Sequence, residues 1–229
     1  MGLFAIGDLH LSGFKPKPMD IFGANWQQHQ KKIEDNWCKT ITDDDTILIP
    51  GDISWGLNLC EAKCDLDFLA QLPGKKLLLR GNHDYWWGSV SRLNSMYEKM
   101  YFIQNDYVEY NGKAVCGSRG WTLPNEQKFD AGDMKTYKRE LIRCRLSLER
   151  AVKNKYEDII FMMHFPPAMF GATENAFVDI LKEYPVKTVV YGHLHGKDNF
   201  AVGIKGIHDG IEYHLVSSDY LDFCPQKIM

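Results

Sequence analysis

The sequence repeats one arrangement five times: a short apolar segment followed at once by polar or ionisable residues. Each apolar segment is typical of a strand buried on both faces. The polar residues are, in chain order, Asp8 and His10; Asp52; Asn82, His83 and Asp84; His164; and His193 and His195. Helical segments separate the strands, which predicts an α/β fold with a mostly parallel sheet. Its strand ends should gather along one edge.

The stretch from Lys75 to Asp84, KKLLLRGNHD, shows this arrangement most clearly. Its apolar run predicts a short buried strand that stops at Gly81, a residue free to take backbone angles that others resist. Asn82, His83 and Asp84 follow directly. Buried polar side chains need partners. We therefore expect these three residues to face a ligand from a loop that rigid elements hold.

The rest of the chain divides into predicted helices and strands without a repeat or a linker. Helical spacing is found near residues 26–40, 60–72, 89–100, 134–155 and 174–184. Further strands are predicted at 3–6, 46–49, 101–110, 113–116, 158–163, 187–191 and within 204–217. Asn111-Gly112 and Asp209-Gly210 are strong hairpin signals. We expect a single domain over residues 1–229, with the loop 117–133 covering one side of a cleft and setting selectivity.

Composition limits the classes of partner. A formal net charge of −3 lacks the basic footprint of a dedicated nucleic-acid binder, although it allows a nucleotide-sized substrate. The six cysteines lack the paired spacing of zinc sites, so reduced thiols are expected. No stretch approaches the ~20 apolar residues of a membrane span, and the apolar N-terminal run is too short for a signal peptide. The sequence thus predicts a cytoplasmic protein with no membrane partner, and it carries no signal for an oligomeric state.

The polar clusters contain two carboxylates, one amide and four imidazoles besides His83 and Asp84. These oxygen and nitrogen ligands, with no thiolate among them, suit manganese, iron or zinc better than magnesium, calcium or a structural zinc. Seven ligands are too many for one ion with open positions. They are about right for two ions that share a carboxylate, and two such ions can clamp a phosphate and lower the pKa of a water between them.

Five motifs in order carry a family resemblance: GDLH at residues 7–10, GD at 51–52, GNHD at 81–84, His164 after its strand, and GHLH at 192–195. Together they resemble the calcineurin-like metallophosphoesterase family. The resemblance implies a four-layer α/β/β/α sandwich with two divalent metal ions, manganese first, with iron or zinc as alternatives. It also implies hydrolysis of a phosphomonoester or phosphodiester on a small phosphorylated substrate by a metal-bridging hydroxide.

The resemblance further implies a role for each matching residue. The first metal would be held by Asp8, His10 and His195, the second by Asn82, His164 and His193, and Asp52 would bridge the two. His83 would protonate the leaving oxygen or stabilise the charge that develops on it. A general acid of this kind typically contributes ~10²–10⁴-fold in rate. Asp84, the other residue predicted for catalysis, would lie behind the ligands and orient its neighbours.

One segment departs from the protein-phosphatase branch of that family, which continues its second motif as GDxxDRG. Residues 51–57 read GDISWGL and lack both the Arg and the second Asp. The orienting partner of His83 is therefore unidentified. Arg119 and Arg80 are candidates to grip phosphate, because guanidinium matches two phosphate oxygens. We favour Arg119, since Arg80 lies just inside a buried strand end.

Two alternatives stay open at this point. A nuclease or cyclic-nucleotide phosphodiesterase is suggested by Trp86-Trp87, which could stack on a base, and by the basic run 138–145. The Trp pair is nevertheless expected in the core or in a wall of the cleft. The basic run is expected to be a solvated helix face. The acidic net charge of the chain disfavours binding of long polyanions. The other alternative is a non-catalytic metal-binding scaffold.

Overall fold

A computed structural model describes residues 1–124, 129–169, 171 and 174–229 of the chain. The strands in this part are β1 Leu3–Ala5, β2 Thr46–Ile49, β3 Lys75–Leu79, β4 Met100–Ile103, β5 Tyr107–Tyr110, β6 Lys113–Ser118, β7 Ile159–Met163, β8 Val186–Tyr191, β9 Gly206–His208, β10 Ile211–Leu215 and β11 Gln226–Lys227. The α-helices are α1 His29–Thr40, α2 Leu59–Gln71, α3 Val90–Asn94, α4 Ala131–Lys153, α5 Ala176–Glu183 and α6 Lys197–Val202. Two 3₁₀ turns, Asp20–Phe22 and Ala24–Trp26, precede α1.

The strands form two sheets, each mostly parallel. The first has the order β11-β1-β2-β3-β4, in which β1 to β4 are parallel and β11 is antiparallel to β1. The second has the order β5-β6-β7-β8-β10-β9, in which β6, β7, β8 and β10 are parallel and the two edge strands are antiparallel to their neighbours. The prediction of parallel strands with a common polar edge is confirmed.

Apolar side chains alternate between two faces along each central strand. In β3, Leu77 packs in the cluster between the sheets with Ile160 of β7, whereas Leu78 packs with the helices outside the first sheet. Phe161 of β7 likewise faces α4 and α5 outside the second sheet, where it packs with Leu148. The order of layers is therefore helix, sheet, sheet, helix, as the resemblance implies. Burial of both strand faces explains why these strands are continuous apolar runs.

Two element predictions are wrong around residues 89–110. The predicted helix 89–100 is only α3, and the predicted strand 101–110 is two strands that belong to different sheets. Asn94 ends the helix because its side chain bonds to the backbone of Phe102, accepting from N at 2.7 Å and donating to O at 3.2 Å. Asn105, at φ 56°, lies where the chain passes from one sheet to the other.

The remaining predicted elements lie within a few residues of the observed ones, and both predicted hairpins form. Helix α4 begins at Ala131, earlier than predicted, because Asp130 and Asp133 form a reciprocal capping box. Part of the predicted loop 117–133, residues 125–128, lies outside the described residues. No helix in the described part of the chain has the length and apolar character of a membrane span.

Candidate metal centre

All seven predicted ligands meet at the C-terminal edges of the two sheets. Asp8 and His10 follow β1, Asp52 follows β2, Asn82 follows β3, His164 follows β7, and His193 and His195 follow β8. Each is linked to another of the seven by a contact of 4.0 Å or less. Two groups of three residues have potential metal-ligand atoms close to one another: Asp8, His10 and His195, and Asp8, Asp52 and His164.

His164 is the centre of one set of contacts. Its Nδ1 lies 3.0 Å from the carbonyl oxygen of Pro50, which can only accept, so Nδ1 carries the ring proton. Burial, as the largest cause, lowers the pKa of His164 to about 3, so the ring is neutral and its Nε2 has a bare lone pair. That Nε2 lies 2.7 Å from Asn82 Oδ1, 3.3 Å from His193 Nδ1 and 3.5 Å from Asp52 Oδ2. Lone pairs that converge in this way fit a bound cation.

His195 is the centre of a second set. Its Nδ1 lies 2.9 Å from Asp219 Oδ1, and a carboxylate only accepts, so the proton is again on Nδ1. Nε2 is then directed at His10 Nε2, 3.2 Å away, and Asp8 Oδ1, 4.0 Å away. Burial alone would lower the pKa of His195, but the hydrogen bond with Asp219 and the charge of Asp8 raise it above its usual value. A histidine held by a carboxylate on one nitrogen is the usual arrangement of a metal ligand.

Asp52 lies between these two sets. The backbone N–H of His83 donates to Asp52 Oδ1 at 2.8 Å and fixes the carboxyl group. The other oxygen, Oδ2, is 3.5 Å from His164 Nε2 and 3.8 Å from His10 Nε2. One oxygen therefore faces a nitrogen of each set. Burial is the main cause that raises the pKa of Asp52.

Asp8 is fixed from the other sheet. Both of its oxygens accept from the backbone N–H of His193, at 3.0 and 2.9 Å. Burial raises the pKa of Asp8, and the nearby charge of Asp52 raises it further. Two carboxyl groups whose charged forms are disfavoured mainly by burial, next to several imidazoles, form a site whose electrostatics favour added cations.

Four of the seven residues have a left-handed backbone. The φ angles of Asp8, His10, Asp52 and His193 are 54°, 47°, 51° and 72°. Such angles are uncommon outside glycine and cost about 1–3 kcal/mol each, and they concentrate at functional sites. The fold maintains them through contacts between loops, such as Asp8 N to Gly51 O and His10 N to Asp52 O, both at 3.0 Å.

Two motif glycines are required by space. A Cβ atom on Gly81 would lie 2.1 Å from Asp52 Oδ1, and one on Gly192 would lie 2.2 Å from Asp8 Oδ2. Gly81 is not among the residues with positive φ, so the expectation that it serves to adopt unusual backbone angles is wrong. Any side chain at Gly81 or Gly192 would displace a carboxylate of the centre.

His83 is oriented by packing. Its ring lies 4.4 Å from the Trp55 ring between centroids, and its buried Nδ1 has no hydrogen-bond partner among the described residues. Burial is the largest cause that lowers the pKa of His83, whereas the charge of Asp52 raises it. The Trp55 ring, which belongs to the GDISWGL segment, is therefore a packing partner of the His83 ring.

Asp84 ties the loops of the centre together. Its Oδ1 accepts from the backbone N–H groups of Ile53 (2.9 Å) and Ser54 (3.2 Å) and from Trp86 Nε1 (3.0 Å), and its Oδ2 accepts from Gly81 N at 2.7 Å. Its carboxylate is fully buried. Asp84 therefore holds the segments that carry Asp52 and His83 without reaching the edge where the ligands meet.

Aromatic rings enclose the first set of ligands. The His10 ring stacks on Trp55 at 5.0 Å between centroids, and Trp26 lies 5.4 Å from His195. Sequence reasoning did not identify Trp26 or Trp55, because neither stands at a strand end. The pair Trp86-Trp87 is buried against Phe102, which confirms its expected place in the core.

Arg119 lies beside the second set. Its backbone carbonyl accepts from His164 N at 3.1 Å, and its positive charge lowers the pKa of Asp52. The guanidinium is 3.5 Å from the buried Glu140 and lies over the Trp121 ring at 4.4 Å. Its Nε is buried without a hydrogen-bond partner in the described part of the chain. Arg80 is also close to Glu140, whose charge raises its pKa against the larger lowering by burial.

Asp219 is the main residue that sequence reasoning missed. It follows β10, a strand that alternates apolar and polar residues, in the segment Ser217-Ser218-Asp219, where polar residues again follow a strand end. Strands β10 and β8 are parallel, and Leu215 is paired with Tyr191. Asp219 lies four residues after Leu215 and His195 lies four residues after Tyr191, so this register places the two side by side. The polar strand end was visible in the sequence, whereas the register was not.

Comparison with known proteins gives a consistent result. A family model described as calcineurin-like phosphoesterase matches residues 1–197. A relative named probable cyclic nucleotide phosphodiesterase, from Ruthia magnifica subsp. Calyptogena magnifica, is 24% identical over 216 residues, which cover 87% of this chain and 81% of the relative. The solved structure of phosphopantetheinyl hydrolase from Mycobacterium tuberculosis matches with a TM-score of 0.59 and 13% identity, over 100% of this chain and 95% of that one. At that identity the structural likeness shows the fold.

Proposed function

The chain belongs to the calcineurin-like phosphoesterase family, and from that membership we propose that it hydrolyses a phosphomonoester or phosphodiester with the help of two divalent metal ions. The observation that carries the proposal is the convergence of ring nitrogens, carboxylate oxygens and one amide oxygen at the strand ends. Around His164 Nε2 and His195 Nε2, atoms that can bind a cation lie 2.7–4.0 Å apart. Two cations would satisfy these lone pairs.

The proposed ligands divide as the two sets of contacts do. One ion would be held by Asp8, His10 and His195, and the other by Asn82, His164 and His193. We assign the bridging position to Asp52, because its Oδ2 faces Nε2 of both His10 and His164. Asp8 also lies 3.7 Å from His164, but through Nδ1, which carries the proton bonded to Pro50. Because this nitrogen is protonated, Asp8 and His164 cannot hold one ion between them through this contact.

The donor set of imidazoles, carboxylates and one amide suits manganese, iron or zinc, and manganese is our first choice. Such ions, when bound, polarise phosphoryl oxygens and lower the pKa of a water nucleophile. The protein itself contributes His83, held against Trp55 beside the ligands, as the proposed donor of a proton to the leaving oxygen. It also contributes Arg119, which we propose as the group that grips a phosphate oxygen.

The proposal is tested by hydrolysis of p-nitrophenyl phosphate and bis(p-nitrophenyl) phosphate with and without Mn²⁺. Asp52→Asn should lower kcat/KM by ~10²-fold or more, since even partners one step removed from a metal contribute 10–100-fold. Asp43→Asn is the matched control, because this exposed acid pairs with Lys99 at the surface, away from the proposed ligands. Full activity in Asp52→Asn with its metal content verified would refute the assignment. Metal binding without turnover on either ester would instead favour the non-catalytic scaffold.

The relative named probable cyclic nucleotide phosphodiesterase makes a phosphodiester the first substrate class to test, with 3′,5′-cyclic AMP as the probe. A nuclease has less support. Within the basic run 138–145, Arg143 pairs with Glu140 at 2.8 Å and Arg145 pairs with Glu183, so part of that charge is neutralised locally. A protein that binds neither DNA nor RNA at any salt concentration would agree with this interpretation.

A further inference from the structure

A cavity of about 230 Å³ opens beside the second set of ligands. Its lining includes His193 itself, the aromatic side chains Trp121 and Phe165, and the polar side chains Thr122 and Asn199. Because His193 belongs both to this lining and to the proposed metal centre, a molecule with its phosphate at the metal centre could extend directly into the cavity.

The size of the cavity indicates what part of a molecule it can hold. Pockets that enclose whole drug-sized ligands measure roughly 300–1,000 Å³. At about 230 Å³ this cavity is smaller, so it has room for one ring system and not for a complete nucleotide. The phosphate of such a ligand would have to lie outside it, which is where the proposed metal centre is located.

The aromatic wall is held rigidly. Trp121 Nε1 donates to Asp133 Oδ1 at 3.0 Å, and the Arg119 guanidinium lies over the indole at 4.4 Å. The Phe165 ring packs 5.0 Å from Trp121 and 4.1 Å from the His193 ring. Aromatic side chains that are already fixed lose little conformational entropy when a flat ligand packs on them.

Polar groups accompany the rings. Thr122 supplies a hydroxyl, and Asn199 supplies an amide whose Nδ2 is fixed by donating to His195 O at 2.8 Å. Aromatic surfaces combined with a few hydrogen-bonding groups suit a planar ring that has polar edges. The rest of the lining, Pro166, Met169 and Leu194, is apolar, so an alkyl phosphate is the competing ligand in the test.

We propose that this cavity receives the planar heteroaromatic ring, of nucleobase type, of a phosphoester whose phosphate lies at the metal centre. The inference rests on the proposed function, since it places the phosphate by that function. It deepens that function by naming nucleoside phosphoesters as the substrate class and Trp121 as a specificity-determining residue.

The test measures binding by calorimetry to protein loaded with Mn²⁺ and freed of excess metal. The ligands are adenosine 5′-monophosphate, ribose 5-phosphate and n-hexyl phosphate. The first two differ only in the base, so the ratio of their Kd values isolates the contribution of the cavity. Base stacking on an aromatic side chain is worth enough to predict a ratio of roughly tenfold or more in favour of the nucleotide.

Two variants address the cavity and two serve as controls. Trp121→Ala removes the wall. Asn199→Phe, at an exposed helix position, fills the mouth and gives up the hydrogen bond to His195 O, so its Mn²⁺ content is measured as well. Both should bring the ratio of Kd values close to one. Trp121→Phe should retain most of the preference, and Lys197→Phe, exposed on the same helix but outside the lining, should retain all of it. If Trp121→Ala fails to fold, Asn199→Phe still decides the question.

A wild-type ratio near one, or an unchanged ratio in both cavity variants, overturns the inference. So does n-hexyl phosphate that binds as tightly as the nucleotide, because an alkyl chain would then suffice. A preference for the nucleotide in a protein that hydrolyses no phosphoester would support the cavity and refute the proposed function. Hydrolysis of phosphoesters without any preference for the base would do the reverse.

Discussion

Asp219 gives the sharpest prediction, because it contacts one set of proposed ligands and not the other. Its carboxylate bonds to His195 Nδ1 at 2.9 Å and accepts from Gly196 N at 3.1 Å, and it is only 6% exposed. In Asp219→Asn the charge that stabilises a metal-bound His195 is lost, although the side chain keeps nearly the same shape. We expect the ion held by Asp8, His10 and His195 to bind more weakly.

The expected magnitude follows from the kind of bond that is lost. Partners that hold a metal-binding histidine are worth 10–100-fold in metal affinity. This corresponds to about 1.4–2.7 kcal/mol, within the range for a hydrogen bond to a charged group. The second set is held by different contacts, His164 to Pro50 and to Asn82, so its affinity should change less than threefold.

Calorimetric titration of metal-free protein with Mn²⁺ measures both affinities in one experiment. Wild-type protein should show two binding steps, and Asp219→Asn should shift one of them by 10–100-fold. Asp209→Asn serves as the control, since this exposed acid pairs with Lys182 away from the centre. Equal weakening of both steps would show that Asp219 acts on the fold as a whole. No change in either step would show that its bond to His195 has no role in binding the ion.

Three further predictions address the site and the core. Gly81→Ala should lower the affinity for Mn²⁺ at least tenfold in calorimetry, because the added Cβ would lie 2.1 Å from Asp52 Oδ1. A variant that keeps the wild-type affinity would show that this contact does not displace Asp52. Arg119→Lys should raise KM for bis(p-nitrophenyl) phosphate about tenfold, because lysine cannot hold two phosphate oxygens; an unchanged KM would exclude it as the gripping group. Lys76 is fully buried, which lowers its pKa from 10.5 to about 8. Between these values the unfolded chain binds more protons, so the free energy of unfolding should rise with pH, by up to about 3.4 kcal/mol. Urea denaturation at pH 7.5, 9 and 10.5 should show this rise in wild-type protein and a flatter dependence in Lys76→Met; equal slopes would contradict the assignment.

The edge where the ligands meet could be predicted because it depends only on strand order and polarity. Parallel strands place their C-terminal ends together, so residues as distant as Asp8 and His195 were expected to be neighbours. The pairing of His195 with Asp219 depends on the register of β10 against β8, which no local pattern encodes. The division of residues 101–110 between two sheets likewise depends on strand pairing, since β4 pairs with β3 in one sheet and β5 pairs with β6 in the other.

Side-chain packing around the centre could be predicted from the sequence less well. The residues of the GDISWGL segment gave no sign that the Trp55 ring would pack against His83, because such a contact depends on how separate loops fold against each other. Gly81 was correctly marked as important, but the reason is the approach of Asp52 and not its own backbone angle. In both cases the decisive contact joins residues from different strand ends.

Anomalous diffraction from crystals grown with Mn²⁺ locates the two proposed ions directly. We expect two anomalous peaks in each chain, one among Asp8, His10 and His195 and one among Asn82, His164 and His193, with Asp52 in contact with both. Protein whose centre shows no peak with manganese, iron or zinc, or whose single peak lies away from these seven side chains, would contradict this expectation.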